Sequence, residues 1–346
     1  MKLLRNTLCA LASVLLLGFL CTNARAQTKD LRVYVLDVEG GQSTLFVTPD
    51  HQSLLIDTGW PDNAGRDANR IVAAAKKAGL SRIDYVLLTH YHTDHTGGVP
   101  QLVAKIPVGT FIDHGPLRET TDKPTTDAYD AYQKVLATGK YHHILAKVGE
   151  TLPIHDMSVQ ILTADGNFLH KPLPGAGEPN PFCRESEVRP LDQTENARSV
   201  GSLITFHGVR ILDLGDLTWD KEMDMLCPNN VIGHVDILIV SHHGWFHSSS
   251  PALVDAITPR IAIMDNGATK GGSTPTIQTI RRVRTLEALW QLHYSEEAGP
   301  GNVPAAEIAN LHGPDTGYGF ELTVTPTGSF SVTNDRTGRT TNYPAQ

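Results

Sequence analysis

The sequence has few cysteines and fewer basic than acidic residues, and each shortage excludes a class of protein. Four cysteines in 346 residues are too few for a disulfide scaffold, so the fold must depend on its hydrophobic core. Two of the cysteines, Cys183 and Cys227, lie beyond residues 1–26. The sequence gives no spatial distance between them, so it leaves open whether they form a disulfide. With 29 lysines and arginines against 37 acidic residues, the chain lacks the basic charge typical of general nucleic-acid binders.

Long apolar runs are also scarce. The run from Leu11 to Leu20 follows two basic residues and precedes a small-x-small site that ends at Ala26. This order predicts a secretory signal peptide over residues 1–26, and the run is too short for a comfortable membrane span. We therefore expect a soluble mature protein, periplasmic or secreted, with no membrane partner. Its formal net charge would move from −8 to −11, because residues 1–26 contain three basic residues and no acidic one.

Strand-like and helix-like segments alternate along the rest of the chain, which favours an α/β fold. Alternating or continuous apolar runs between turn residues predict strands, and periodic amphipathic runs predict helices. The predicted strands are 32–38, 43–49, 53–59, 83–90, 109–115, 157–164, 199–206, 209–216, 235–244 and 260–266, with a terminal hairpin at 317–334. The predicted helices are 65–80, 127–139, 218–226 and 276–289. Two strand-rich halves interleaved with helices indicate two sheets packed together with helices outside.

Residues 165–198 interrupt this pattern, because they are rich in proline, glycine and charge and have no periodicity. A loop of that length inside a compact domain is usually functional or mobile. We expect one domain over residues 27–300 that contains this loop. A C-terminal loop and hairpin over residues 301–346 would complete the same domain.

The stretch THYHTDHTGG places three histidines and an aspartate within six positions, directly after the predicted buried strand 83–90. In an extended segment the imidazoles of His90 and His92 point the same way, whereas Asp94 and His95 follow as the chain turns. One ion cannot easily use all four side chains, but two neighbouring ions can. The alternative interpretation is a polar surface turn.

Two ions would need a bridging group and further ligands from distant segments. Strand ends supply candidates, because Asp216 in LDLGD and the pair His242 and His243 in VSHHG each end a predicted strand. These positions favour a metal site with two ions over a surface turn.

The motifs also resemble a known family. LIDTG, then H-x-H-x-D-H after an apolar strand, then a strand-terminal GD and a strand-terminal histidine, look like the metallo-β-lactamase-fold hydrolases over about residues 31–295. Within that superfamily, LDVEGGQ, NARSVGSLITF, LDLGDL and IVSHHG look most like the hydrolase domain of bacterial competence (DNA-uptake) proteins. The resemblance implies a four-layer αββα sandwich with mixed sheets, outer helices and a dinuclear site along one edge of the sheets.

The resemblance also implies roles for individual residues. It gives a first metal site with His90 and His92, a second with Asp94 and His95, and Asp216 shared between them. One histidine of the SHHG stretch joins the second site, and we expect His243 to be that ligand. His242 would contact the substrate or donate a proton, and Asp57 would orient the ligand loop by binding a metal-bound imidazole. The expected cofactor is a pair of Zn²⁺ ions.

The chain departs from the family pattern at the first site. Most of the superfamily supplies a third histidine just before the strand that leads to the GD motif, where this chain has Glu195 and Asn196. Asn196 offers only a neutral amide oxygen, so the first site would be weak, filled only with substrate, or suited to Mn²⁺ as much as to Zn²⁺. Gln42 and Ser43 also stand where the competence pattern carries an acidic residue. The chain has no membrane-channel segments, so DNA transport is not implied.

Three further residues are candidate substrate contacts, each with a structural alternative. His114 ends a predicted strand, His247 follows SHHGWF closely, and Asn196 precedes the strand that leads to the GD motif. A strand-end histidine is more often structural, and an asparagine in a loop usually bonds the backbone.

These observations lead to an expected function. The chain would be an exported metal-dependent hydrolase that uses a metal-activated water on small phosphodiesters or other small esters. Its partner would be a small-molecule substrate, with nucleic acid less favoured because of the acidic charge. A β-lactam or lactone hydrolase is the alternative, and a catalytically silent metal-binding domain is the alternative of another class. The sequence indicates no oligomeric state.

Overall fold

The computed structural model describes residues 29–346. The predicted signal peptide, residues 1–26, lies outside the described residues. The strands are β1 (Leu31–Val35), β2 (Thr44–Val47), β3 (Ser53–Ile56), β4 (Ile83–Leu87), β5 (Val108–Asp113), β6 (His142–Leu145), β7 (Ser158–Ala164), β8 (Asn167–Phe168), β9 (Gly201–Phe206), β10 (Val209–Asp213), β11 (Ile237–Ile239), β12 (Ile261–Met264), β13 (Ala288–His293), β14 (Ile308–Asn310), β15 (Phe320–Val324), β16 (Phe330–Asn334) and β17 (Thr340–Tyr343). The α-helices are α1 (Arg66–Lys77), α2 (Thr93–Thr96), α3 (Val99–Val103), α4 (Lys123–Leu136), α5 (Trp219–Leu226), α6 (Pro251–Ile257) and α7 (Thr274–Arg281).

The strands form two mixed sheets. Sheet A has nine strands in the order β17-β16-β15-β1-β2-β3-β4-β5-β6, and sheet B has eight in the order β14-β13-β12-β11-β10-β9-β7-β8. In sheet A, β3 to β6 run parallel and the strands on the other side of β3 pair antiparallel. In sheet B, β10 to β14 run parallel. The H-x-H-x-D-H and VSHHG motifs follow strands of the parallel part of each sheet, and LDLGD spans the end of β10.

Three apolar layers hold the sheets and helices together. In β1, Val33 and Val35 face the layer between the sheets, while Tyr34 faces the helices outside sheet A, as the two-residue period of a strand requires. Helices α1, α3 and α4 pack on the outer face of sheet A, with Ile71 among the buried residues. Helices α5, α6 and α7 cover sheet B, with Leu253 buried there. The expected αββα sandwich is confirmed.

The expected helix over residues 276–289 is wrong at its C-terminal end. Helix α7 ends at Arg281, and Ala288 already begins strand β13. Trp290 and Leu292 face the layer between the sheets, while Leu289 faces the outer helices, so the last part of this segment follows the period of a strand. Strands β6, β8, β14 and β17 and helices α2, α3 and α6 have no counterpart among the predicted elements. For α6 a signal was present, because the Ser250 side chain caps the helix and Pro251 occupies its first turn.

The segment 165–198 is structured over part of its length. It contains strand β8 and two 3-10 turns, at Pro181–Arg184 and Asn196–Arg198. A disulfide between Cys183 and Cys227 joins it to the end of α5, which answers the pairing that the sequence left open. Among residues 29–346, no helix has the length and apolar character needed to cross a membrane.

Glu222 of α5 is a fully buried acid that holds the turn before α6. Its two carboxylate oxygens accept the backbone N–H groups of Ser249 and Ser250 at 2.8 and 2.6 Å. Burial raises the pKa of Glu222 to about 7, although these hydrogen bonds oppose the shift. Because the pKa of Glu222 is higher in the folded than in the unfolded protein, protonation of this side chain stabilises the fold. The stabilisation is complete at pH values below the unfolded-state pKa of 4.5, and it is lost as the pH rises through the folded-state pKa of about 7.

We therefore predict that replacing Glu222 by glutamine flattens the pH dependence of stability. Between pH 4.5 and 7.5, the free energy of unfolding of the metal-free wild type should fall by about 3 kcal/mol more than that of Glu222→Gln. Denaturant unfolding at a series of pH values measures this difference. The exposed Glu150→Gln should behave like the wild type, and an equal slope for Glu222→Gln and wild type would contradict the prediction.

Candidate metal centre

The predicted ligands converge because each follows the carboxyl end of a parallel strand. His90 and His92 follow β4 in sheet A, Asp216 follows β10 in sheet B, and the turn Ser241–Gly244 follows β11. A Cβ on Gly215 would lie 2.7 Å from the Thr89 Cβ, so glycine is required where the GD loop crosses the histidine motif. Loops from both sheets therefore meet at one edge of the sandwich.

Four side chains form the larger of the two ligand groups that share Asp216. His95 Nε2 lies 3.2 Å from His243 Nε2, and these two atoms lie 3.4 and 3.5 Å from Asp216 Oδ2. Asp94 Oδ2 completes the group at 3.3 Å from His95 Nε2 and 3.2 Å from His243 Nε2. These residues are those expected at the second metal site, and His243 is the histidine of the SHHG pair that belongs to the group.

The smaller group corresponds to the expected first site. His90 Nε2 lies 3.0 Å from His92 Nδ1 and 3.9 Å from Asp216 Oδ2. Asp216 therefore belongs to both groups, and within each group the ligand atoms lie within 4.8 Å of one another. The structure thus gathers from distant segments the six residues that the resemblance named as metal ligands.

Negative charge dominates the second site. Burial raises the pKa of Asp94 and Asp216, but neighbouring cations and imidazoles outweigh it and hold both values well below the ordinary range. Burial likewise lowers the pKa of His95 and His243, yet the surrounding carboxylates raise the first well above its ordinary value and the second to about 10. The site thus attracts positive charge, in the form of protons or a metal ion.

The donor set fits a divalent metal ion. Two imidazole nitrogens and two carboxylate oxygens match the ligands that zinc prefers in four-coordinate sites. Within residues 29–346, Asp216 Oδ1 and Asn196 Oδ1 are buried without a hydrogen-bond partner. A buried acceptor left unpaired costs about 1–3 kcal/mol, and a cation between the two groups would relieve that cost for Asp216.

Asp57 holds the ligand loop from behind. Its Oδ2 accepts hydrogen bonds from His95 Nδ1 and Thr89 Oγ1, both at 2.7 Å, and its Oδ1 accepts the Thr89 N–H at 2.8 Å. These contacts fix the ring of His95 and leave its Nε2 for the second site, which is the geometry that the proposed orienting role needs.

His242 and Asn196 lie together beside the shared aspartate. His242 Nε2 is 3.5 Å from Asp216 Oδ2 and 3.4 Å from the Asn196 side-chain nitrogen, while its Nδ1 is 3.2 Å from Ser248 Oγ. Burial lowers the pKa of His242 to about 4, so the ring is neutral at neutral pH. The ring of His247 lies 6.2 Å from that of His242.

His114 has a different environment from the one expected. Its Nε2 lies 2.9 Å from Glu195 Oε2, the ring is buried, and it belongs to neither ligand group.

The sequence analysis missed two residues that contact the ligands. Lys270 forms an ion pair with Asp94, donates to the Gly40 carbonyl at 2.8 Å, and lies 5.1 Å above the Trp60 ring. Glu119 bonds His92. A signal for Lys270 was present, because GATKGG closely follows β12 at the same edge as the SHHG turn.

Comparisons with known proteins show which proteins this chain is similar to. The model of the metallo-beta-lactamase superfamily matches residues 37–179. The chain is 26% identical to the competence protein ComA of Neisseria gonorrhoeae over 274 residues, which are 79% of this chain and 32% of that protein. It is 35% identical to a hydroxyacylglutathione hydrolase of Stenotrophomonas maltophilia over 108 residues, 31% of this chain and 37% of that protein.

The crystal structure of the metallo-beta-lactamase fold protein YhfI from Bacillus subtilis matches with a TM-score of 0.47 and 14% identity, covering 76% of this chain and 96% of that one. The chain spans about a third of the length of the curated relatives it matches. The superfamily whose model matches residues 37–179 consists mostly of metal-dependent hydrolases. The resemblance to this superfamily and to competence proteins is confirmed.

The two ligand groups lead to a prediction about metal content. His92→Ala should lose the first ion and keep the second, because His92 belongs to the smaller group alone. Asp216→Asn should weaken both, because its carboxylate belongs to both groups. Elemental analysis after dialysis against trace Zn²⁺ measures the ratio of ion to protein. The exposed His142→Ala is the control, and equal metal content in His92→Ala and wild type would refute the assignment.

Proposed function

We propose that the protein is a metal-dependent hydrolase of small phosphodiesters or related small esters. The observation that carries this proposal is the pair of buried ligand groups that share Asp216 at the edge of the sandwich. The proposed cofactor is two Zn²⁺ ions, with Mn²⁺ an alternative at the first site because Asn196 stands where the superfamily supplies a third histidine.

Ions in these groups would supply an ionised water near neutral pH and stabilise the negative charge that develops in hydrolysis. Residues of the chain have three roles around such ions. Asp216 links the groups, Asp57 fixes His95, and Lys270 places a positive charge beside Asp94. His242 lies beside the shared carboxylate without belonging to a group, so its neutral ring is placed to hydrogen-bond a substrate.

Two lines of support favour a phosphodiester. The similarity to a competence protein covers most of this chain, and phosphodiesters are the bonds of the nucleic acid that competence proteins take up. The excess of acidic residues disfavours long nucleic acid and favours small substrates. The shorter similarity to hydroxyacylglutathione hydrolase supports a carboxylic ester or thioester as the second candidate. A β-lactam or lactone belongs to that second class.

We also propose export to the periplasm or medium. The support is the order of charge, apolar run and small-x-small site in residues 1–26.

A substrate panel tests the proposed reaction. We predict turnover of bis-p-nitrophenyl phosphate that requires Zn²⁺ or Mn²⁺ and is abolished by EDTA, with slower turnover of a p-nitrophenyl ester, nitrocefin and a simple lactone. Preference for the carbonyl substrates would replace the phosphodiester by the second candidate. If a protein that holds at most one ion turns over none of these compounds, it is a silent metal-binding domain.

Replacing each of the two neighbouring histidines of the SHHG turn by alanine should affect different properties of the protein. We predict that His242→Ala keeps the metal content of the wild type and lowers kcat by at least about 100-fold, because it removes a substrate contact and no ligand. His243→Ala should lose the second ion, because its Nε2 belongs to that group. Metal analysis and steady-state kinetics on both variants measure the contrast. Loss of metal in His242→Ala with retention in His243→Ala would reverse the two roles.

A further inference from the structure

The outer nitrogen of His92 has a carboxylate partner from a loop that no motif marks. His92 faces His90 with Nδ1, and its Nε2 lies 3.1 Å from Glu119 Oε2. An ionised carboxylate only accepts hydrogen bonds, so this contact places the His92 proton on Nε2 and leaves Nδ1 free for a metal. Glu119 lies in the loop between β5 and α4.

Glu119 is held by a reciprocal pair of contacts with Glu195. The Glu119 carboxylate accepts the Glu195 backbone N–H at 3.0 Å. The fully buried Glu195 carboxylate accepts the N–H groups of Arg118 and Glu119 at 2.6 and 3.2 Å and contacts His114 Nε2 at 2.9 Å. Each glutamate side chain thus accepts a hydrogen bond from the backbone of the other. These bonds connect the loop after β5 to the end of the 165–198 segment.

The contacts between Glu119 and Glu195 lie at the position where the superfamily has the third histidine of the first site and this chain has none. Glu195 and Asn196 occupy that part of the sequence, and neither supplies an imidazole. The first group therefore has two nitrogens and one shared carboxylate, and its strength depends on how well His90 and His92 are oriented. His92 is the more exposed of the two, with a side chain 22% exposed against 0% for His90, so it is the one that needs an external constraint.

We propose that Glu119 is a positioning residue that orients His92 for the first metal, and that Glu195 holds Glu119 in place, so that a carboxylate behind an existing ligand compensates for the missing one. This inference rests on the proposed function, since it presupposes metal at the first group. Carboxylate partners of metal-bound histidines fix the ring and increase its basicity, and their loss usually weakens metal binding by about 10–100-fold.

The test is stepwise metal titration of the metal-free protein with Zn²⁺ and with Co²⁺ against a chelator. Glu119→Ala should weaken the first-site ion by about 10–100-fold and leave the second-site ion unchanged. Glu119→Gln keeps an acceptor for the His92 N–H but loses the charge, so its affinity should fall between those of wild type and Glu119→Ala. Asp165→Asn is the matched control, because it breaks the surface ion pair of Arg118 in the same loop without touching Glu119.

A second readout needs no metal. In ¹⁵N-histidine NMR of the metal-free wild type, the His92 proton should reside on Nε2 in a hydrogen bond, and Glu119→Ala should lose that signature. If Glu119→Ala fails to fold, as judged by circular dichroism, Glu119→Gln decides the question. Unchanged first-site affinity in the folded variant would overturn this inference alone. A wild type that binds no metal would overturn the proposed function as well.

Discussion

The buried carboxylate of Asp216 is the constraint on which the site depends. Taking an unpaired charge out of water costs far more than one hydrogen bond returns, so buried carboxylates persist only where cations or donors surround them. Here Asp216 follows β10 and stands among four imidazoles, those of His90, His95, His242 and His243, which follow two other strands, β4 and β11. The surrounding sheets must therefore bring those strand ends together before the aspartate can be buried.

The architecture meets this requirement through its parallel halves. Because β4 runs parallel to its neighbours in sheet A and β10 to β12 run parallel to one another in sheet B, the loops after them emerge at one edge, where both sheets contribute. The antiparallel strands at the other side of sheet A carry none of the residues of the two groups that share Asp216. The antiparallel strands of sheet A thus extend the hydrophobic core, and the parallel strands position the ligand side chains.

Sequence reasoning reached the ligands but not the residues that support them. His90, His92, Asp94 and His95 were identifiable because their spacing has a direct chemical meaning, and Asp216 and His243 because they end apolar runs. Glu119 and Lys270 contact the ligands across 27 and 176 residues of chain. The position of GATKGG after β12 places Lys270 at the right edge of the sheet, but no motif pairs either residue with its ligand. The helix predicted over 276–289 extended two residues into β13 because short apolar runs fit both periods until the core selects one.

The disulfide between Cys183 and Cys227 encloses a stretch of chain that includes Glu195, Asn196 and Asp216. Cross-linking two residues 44 positions apart removes conformational freedom from the unfolded chain worth roughly 4 kcal/mol. Of the six residues in the two ligand groups, Asp216 alone lies inside this covalent ring, and the histidine motif and His243 meet it from outside. The bond therefore limits how far Asp216 can separate in the unfolded chain from Glu195 and Asn196, the residues beside which it lies after folding.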